Sequence, residues 1–122
     1  MLHPDELARL EASLLPALER HHLRLLAHGL RTLQQIAGSG QVEPPSGEAI
    51  RQWVLLQPAT AGDTAFAEAF SAQMLSVAEQ LRQIAGPSRQ PLDLELDELE
   101  TWARRQADSR LAAGPAARAP EV

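Results

Sequence analysis

The residues with the clearest potential for chemistry are Glu19 and His22, in the run Glu19-Arg20-His21-His22. The Glu-x-x-His spacing places both side chains on one face of a helix, as in carboxylate-bridged di-iron bundles. On a helical wheel both fall within a wide apolar arc, where an ionisable pair needs a partner because burying it alone is costly. The pattern therefore raises the hypothesis of a metal- or cofactor-binding bundle built on Glu19 and His22, with His28 as a further ligand.

The rest of the chain offers little to complete such a site. A di-iron centre needs four carboxylates and usually a second Glu-x-x-His motif, and the sequence contains no second copy of that motif. A site shared across a dimer is conceivable. The simpler interpretation is that His22 is a histidine at the edge of the core, satisfied by a neighbouring side chain, with Glu19 at the rim. We expect no bound cofactor.

A stripe of basic residues follows the same predicted helix. Arg20, Arg24 and Arg31 are flanked by His21 and His28, which lie two turns apart. These five residues form a candidate docking face for an acidic protein partner, made sensitive to pH by histidines that titrate near neutrality. A haem ligated by His21 or His28 is also conceivable, although nothing indicates a haem pocket. The alternative is an ordinary solvated face.

An acidic cluster surrounds the start of the last predicted helix and consists of Asp93, Glu95, Asp97, Glu98 and Glu100. Carboxylates near a helix N-terminus complement the helix dipole, which is sufficient to explain them. The functional alternative is that the cluster meets the arginine stripe, within one chain or across a symmetric dimer. Exposed ion pairs of this kind contribute under about 1 kcal/mol each, so they would set orientation more than stability.

Composition excludes several classes of function. The chain has a net charge of −5. It therefore lacks the clustered positive charge that a general nucleic-acid binder needs. With no cysteine, there is no disulfide, thiolate nucleophile or iron–sulfur site. No nucleophile elbow, phosphate-binding glycine loop or HExxH motif occurs, so enzymatic activity is not expected. The acidic start of the chain does not resemble a signal peptide, and no apolar run is long enough to span a bilayer. We expect a soluble, cytoplasmic protein without membrane insertion.

Helical periodicity indicates an all-α fold, a compact four- or five-helix bundle formed by residues 1–112. Ser46 and Asp63 are predicted N-caps, and Gly38 is a predicted C-terminal cap. Ser13 could cap a new helix with Pro16 in its first turn, but we favour a continuous helix kinked at Pro16. The Ala/Pro-rich residues 113–122 are predicted to be a flexible tail. The expected helices are Pro4–Leu14, Pro16–Ala37, Gly47–Gln57, Thr64–Ala85 and Leu94–Ala112.

The second helix has the widest apolar face and is therefore predicted to be central. Its predicted core residues are Leu14, Leu15, Leu18, Leu25, Leu26, Gly29, Leu30, Leu33 and Ile36. The fourth helix presents a narrower stripe of Phe66, Phe70, Met74, Val77, Leu81 and Ile84. Replacing Leu25 or Phe70 by alanine is expected to cost about 2–5 kcal/mol. Trp53 and Trp102 are expected to pack in the core and at its edge.

Three stretches resemble a family of small, uncharacterised helical proteins from cyanobacteria: residues 21–28 (HHLRLLAH), 53–58 (WVLLQP) and 102–108 (WARRQAD). The resemblance extends over most of the chain except the tail and implies a cyanobacterial setting, but no activity. Well-specified helices, segregated charge and the lack of catalytic motifs favour a non-enzymatic interaction module. Such a module would be an assembly factor, adaptor or small subunit that binds a protein partner or a second copy of itself.

Overall fold

The described part of the chain folds into five α-helices. The computed structural model describes residues 2–11 and 15–118, with side chains described for 2–10 and 15–112. In this part of the chain there is no β-strand, which confirms the predicted all-α class. Single turns of 3-10 helix, Gly86–Ser88 and Pro91–Asp93, connect the last two helices. The helices are α1 (Pro4–Glu11), α2 (Ala17–Ala37), α3 (Gly47–Leu56), α4 (Thr64–Ala85) and α5 (Leu96–Arg118).

The helix ends follow local chemistry. The Ser46 hydroxyl accepts a hydrogen bond from the Ala49 N–H at 3.1 Å, and the Asp63 carboxylate accepts one from the Phe66 N–H at 3.0 Å. Gly38 ends α2 with a φ of +89°, a conformation that residues with a Cβ atom rarely adopt. All three predicted caps are confirmed.

Several helix boundaries differ from the prediction, and the differences at Pro16 and at the end of α5 matter most. Pro16 is not inside a kinked helix: with a ψ of 154° it is the extended residue before α2, so a separate helix begins at Ala17. Proline disfavours helical geometry in the residue before it, which explains the interruption at Leu15. Ser13 lies outside the described residues. The backbone of α5 continues to Arg118, beyond the expected end at Ala112, and a flexible tail over residues 113–122 stays a prediction.

Helix α2 is the central element, as predicted, since it contacts each of the other four helices. Its buried face differs from the predicted one. Leu23 and Ala27 are completely buried, whereas Leu18 is 61% exposed and Leu25 is 38% exposed. The assignment of Leu18 and Leu25 to the core was therefore wrong. The interior lies against a face of α2 rotated by about 60° from the predicted one.

An aromatic ladder joins α3 and α4 at the edge of the core. The Phe70 ring stacks on Trp53, at a centroid distance of 6.4 Å, and on Phe66, at 5.7 Å. Phe70 is only partly buried and Phe66 is exposed. The fully buried part of the α4 stripe consists of smaller side chains, among them Val77 and Leu81. We therefore expect Phe70→Ala to lower the free energy of unfolding by less than it would at a fully buried position, since part of the ring already contacts water.

Helices α2 and α4 approach each other closely at Gly29. A Cβ atom at this position would lie 2.5 Å from a methyl carbon of Val77. That distance is well below van der Waals contact, and the β-branched Val77 side chain has little rotamer freedom on a helix. The absence of a side chain at Gly29 therefore sets the spacing of the two helices.

We expect Gly29→Ala to lower the free energy of unfolding by about 1–2 kcal/mol, because overpacking outweighs the gain in helix propensity of about 1 kcal/mol. Guanidinium denaturation followed by circular dichroism measures this change. In a Val77→Ala background the same substitution should cost less, since the methyl group that it meets is gone. Stabilisation by Gly29→Ala in the otherwise unchanged chain would contradict the close approach.

Candidate functional site

Glu19 is a buried carboxylate held by an arginine from the opposite end of the chain. Its side chain is 8% exposed. The Arg110 guanidinium on α5 donates two hydrogen bonds to it, Nε to Oε2 at 2.7 Å and Nη2 to Oε1 at 2.8 Å. This bidentate contact lowers the pKa of the Glu19 carboxyl group, against the opposing effect of burial. We expected Glu19 at the rim of the core, but its side chain is buried. Its contact with Arg110 connects α5 to α2.

His22 occupies the adjoining turn and connects three helices. Its Nε2 atom forms a hydrogen bond with Oε1 of Gln80 on α4, at 2.8 Å. The rings of His22 and Trp102 on α5 form a T-shaped pair, with centroids 5.2 Å apart and an interplanar angle of 79°. This arrangement matches the interpretation of His22 as a core-edge histidine satisfied by a neighbour.

The structure gives no support to the metal hypothesis. Within the described residues, no group of three or more histidine, aspartate and glutamate side chains is arranged to hold an ion. Glu19 and His22 instead bond to Arg110 and Gln80. The predicted pair thus lies on one helix face, and both side chains serve helix–helix contacts.

Above this pair lies an open depression of about 540 Å³ between α2, α4 and α5, which we call the α2–α5 groove. Leu18 and Leu25 form one wall, and Trp102 and Ala103 stand opposite. Its lining is Leu18, Glu19, His21, His22, Leu25, Gln80, Gln83, Trp102, Ala103, Gln106 and Arg110. The two leucines displaced from the core thus contribute apolar surface to this groove.

Only part of the predicted basic stripe is available as a docking face. Arg31 bonds to Glu6 of α1, Nη2 to Oε2 at 2.6 Å, and to Gln34 at 2.9 Å. It therefore fastens α1 to α2. His21 is exposed and lines the α2–α5 groove, whereas Arg20, Arg24 and His28 are half-buried. A partner face made of all five residues stays a prediction.

The acidic cluster contacts other arginines than those of the stripe. Asp97 and Glu100 both pair with Arg9 of α1. Glu98 receives two hydrogen bonds of 2.8 Å from Arg89, and it also accepts one from the Glu95 N–H at 2.9 Å. The last contact is half of a capping box, which supports the interpretation that these acids stabilise the start of α5.

Sequence reasoning did not identify the polar wall of the groove. Gln83 and Gln106 are exposed on α4 and α5, and Gln80 is half-buried against His22. None of the three carries a sequence pattern that would single it out. Arg110 was not recognised as the partner of Glu19 either. One feature of the sequence could have indicated the groove. The apolar face of α2 is wider than a single buried face requires.

None of the described helices combines the length with the apolar character needed to cross a bilayer. A search of curated proteins and a search of solved structures each found no match to the chain. A family model does match: that of the NDH complex assembly factor CRR9, over residues 2–110. The matched range includes α1 to α4, the part of α5 up to Arg110, and every residue that lines the α2–α5 groove. It describes an assembly factor, in agreement with the predicted non-enzymatic interaction module. The chain therefore belongs to the CRR9 family of NDH complex assembly factors.

Proposed function

We propose that the chain acts as an assembly factor of the NDH complex and that it binds a protein subunit or an assembly intermediate of that complex through the α2–α5 groove. The match to the family over residues 2–110 carries this proposal. A groove bordered by exposed leucines supports it, because exposed apolar surface beside polar residues is typical of protein-binding sites.

The polar side chains at the groove favour binding over catalysis. General acid–base chemistry needs a side chain within reach of a substrate atom and poised to exchange a proton. Glu19 is held by Arg110, and His22 by Gln80 and Trp102. We infer that these residues give the groove its shape and that the chain has no enzymatic activity. A cytoplasmic location and a cyanobacterial setting belong to the same proposal.

Deleting the gene in cells that carry the NDH complex is expected to reduce the amount of mature complex, because an intermediate that depends on the chain no longer proceeds. Native gel electrophoresis measures the mature complex. The tagged chain should co-purify with NDH subunits in particles smaller than the mature complex, since an assembly factor leaves when assembly ends. Unchanged levels of the complex in the deletion strain would refute the proposal, and stoichiometric retention in the mature complex would indicate a small subunit instead.

Complementation of the deletion strain tests whether the groove is the site used. The double variant Leu18→Asp/Leu25→Asp should fold, because both side chains already contact solvent, yet fail to restore the complex. Leu56→Asp is the matched control, as Leu56 is 78% exposed and lies on α3, away from the groove. If both variants restore the complex, the assembly role stands, but the binding site must lie on another surface of the chain.

A further inference from the structure

We infer that α1 is a detachable helix, which ion pairs hold in place: it leaves α2 and α5 as a unit while the other described helices stay folded. Its release uncovers an apolar site that the closed chain keeps from water. The inference goes beyond the proposed function and does not depend on it. Three features of α1 support it: its small apolar anchor, its ionic contacts and its separation from α2 at Pro16.

The apolar anchor of α1 is small. Among its described side chains only Leu10 is fully buried, whereas Leu7 is 38% exposed. Leu2, just before the helix, adds a partly buried contact with the core. A helix of eight residues is too short to persist alone in water, because isolated helices below about 12 residues are marginal. Once Leu10 leaves its site, α1 therefore also loses its helical hydrogen bonds.

Ion pairs connect α1 to two other helices. Glu6 of α1 accepts a hydrogen bond of 2.6 Å from Arg31 of α2, which lowers the pKa of the Glu6 carboxyl group. Arg9 of α1 pairs with Glu100 of α5 at 2.6 Å and also with Asp97. The Arg9 and Asp97 side chains are 47% and 80% exposed, so dissolved salt screens their attraction. Much of the attachment of α1 is therefore ionic, and salt should weaken it.

The junction between α1 and the rest of the fold is partly open to solvent. A depression of about 400 Å³ lies there, with Glu6 and Arg9 of α1 in its lining. Because α1 forms part of the wall, its release exposes more of the side chains opposite, together with the site of Leu10. Among the lining residues are three leucines that are almost completely buried while α1 is in place: Leu92, Leu94 and Leu96.

The structure of α2 does not depend on α1. The extended Pro16 interrupts the helical backbone between the two helices. The hydrogen bond that begins α2 runs from the Arg20 N–H to the Pro16 carbonyl oxygen, at 2.9 Å, and involves no residue of α1. The first turns of α2 are held to α5 by the contact of Glu19 with Arg110. Release of α1 therefore leaves the contacts among α2 to α5 in place.

Hydrogen–deuterium exchange of the full-length chain, followed by mass spectrometry, tests the inference. After correction for intrinsic rates, amides of α1 should exchange at least about tenfold faster than those of α2 and α4, because a local opening needs less free energy than global unfolding. Raising sodium chloride to about 1 M, where the Debye length is about 3 Å, should speed exchange in α1 severalfold and leave α4 unchanged. A common rate for the three helices at every salt concentration would overturn the inference, because α1 would then open only with the whole chain.

Two arginine substitutions separate the ionic attachment from general destabilisation. Arg31→Gln removes the cation that holds Glu6 and leaves the sequence of α1 unchanged, so it should speed exchange in α1 severalfold. Arg51→Gln is the matched control. It removes an ion pair of 2.7 Å with Glu68, between α3 and α4, and should leave exchange in α1 unchanged. Equal exchange of α1 in Arg31→Gln and in the intact chain would refute the ionic attachment and with it the inference.

Thiol labelling measures the release directly, because the chain contains no cysteine. Leu10→Cys and Leu81→Cys each place one thiol where the leucine is completely buried, in α1 and in α4 respectively. The thiol at position 10 should react at least about tenfold faster, and faster still at about 1 M salt, since it is exposed whenever α1 leaves. Equal reaction rates at the two positions would contradict a separate release of α1, whatever the NDH assays show.

Discussion

Replacing Leu26 by alanine is expected to lower the free energy of unfolding by about 2–5 kcal/mol, because the substitution removes buried methyl groups and leaves a cavity in a close-packed interior. Leu26 is 1% exposed and belongs to the hydrophobic core of the central helix. Guanidinium or thermal denaturation, followed by the far-ultraviolet circular dichroism of the helices, measures the change.

The adjacent Leu25 provides the matched control. It lies on the same helix and would undergo the same change in side chain and helix propensity, but it is 38% exposed. We expect Leu25→Ala to cost about 1 kcal/mol or less, since less apolar area returns to water and solvent can fill the space. Equal losses at the two positions would mean that α2 is rotated relative to its neighbours and that Leu25 belongs to the core.

The positions of the helices could be predicted because their signals are local. Ser46 and Asp63 precede apolar-periodic segments, and each accepts the expected hydrogen bond from the helix that it begins. Gly38 ends α2 because the turn needs a positive φ. Pro16 was harder to place, since a kinked helix and a new helix satisfy the same local rules and the choice depends on packing around residues 15–17.

The buried face of α2 could not be predicted from its own sequence. Apolar residues cover more of its circumference than its neighbours can bury, so a helical wheel identifies the arc but not the part of it that faces the core. Contacts with α4 and α5 decide this, and α4 approaches α2 closely at Gly29. The leucines left over, Leu18 and Leu25, form the wall of the groove.

The candidate site was predictable in one respect. Placing Glu19 and His22 in an apolar arc correctly implied that both need partners. Those partners, Arg110 and Gln80, are 91 and 58 residues away along the chain. No spacing rule connects residues so distant, and the Glu-x-x-His motif itself suggested a metal. The same spacing also suits two neighbouring helix–helix contacts: the ion pair of Glu19 with Arg110 and the hydrogen bond of His22 with Gln80.

Arg110→Met is expected to remove most of the pH-dependent stabilisation that Glu19 contributes. In the intact chain, Arg110 lowers the pKa of Glu19 in the folded state. The stabilisation is therefore fully present above the pKa that Glu19 has in the unfolded chain. It is lost as pH falls through the lowered pKa that Glu19 has in the folded chain. Without the guanidinium, the largest cause of the lowered pKa is gone and burial becomes the largest effect on the carboxyl group, so its folded pKa rises. The ionised carboxylate then stabilises the fold less at neutral pH, whereas the protonated group at acid pH is affected little.

The measurement is the thermal midpoint of the intact chain and the variant between about pH 3 and pH 7. The difference in midpoint should be largest near neutrality and shrink toward acid pH. Each unit by which the folded pKa of Glu19 rises corresponds to about 1.4 kcal/mol lost at neutral pH. A constant difference at all pH values would contradict the ion pair and leave only the packing of the arginine side chain. The double variant Glu19→Leu/Arg110→Met has no carboxyl group at this position, so the contribution of Glu19 to the pH dependence of its stability should disappear. Most of the stability at neutral pH should return, because a well-packed apolar pair can replace a buried ion pair at little cost. The ionic pair would then be needed less for stability than for holding α5 beside α2, where it shapes the groove.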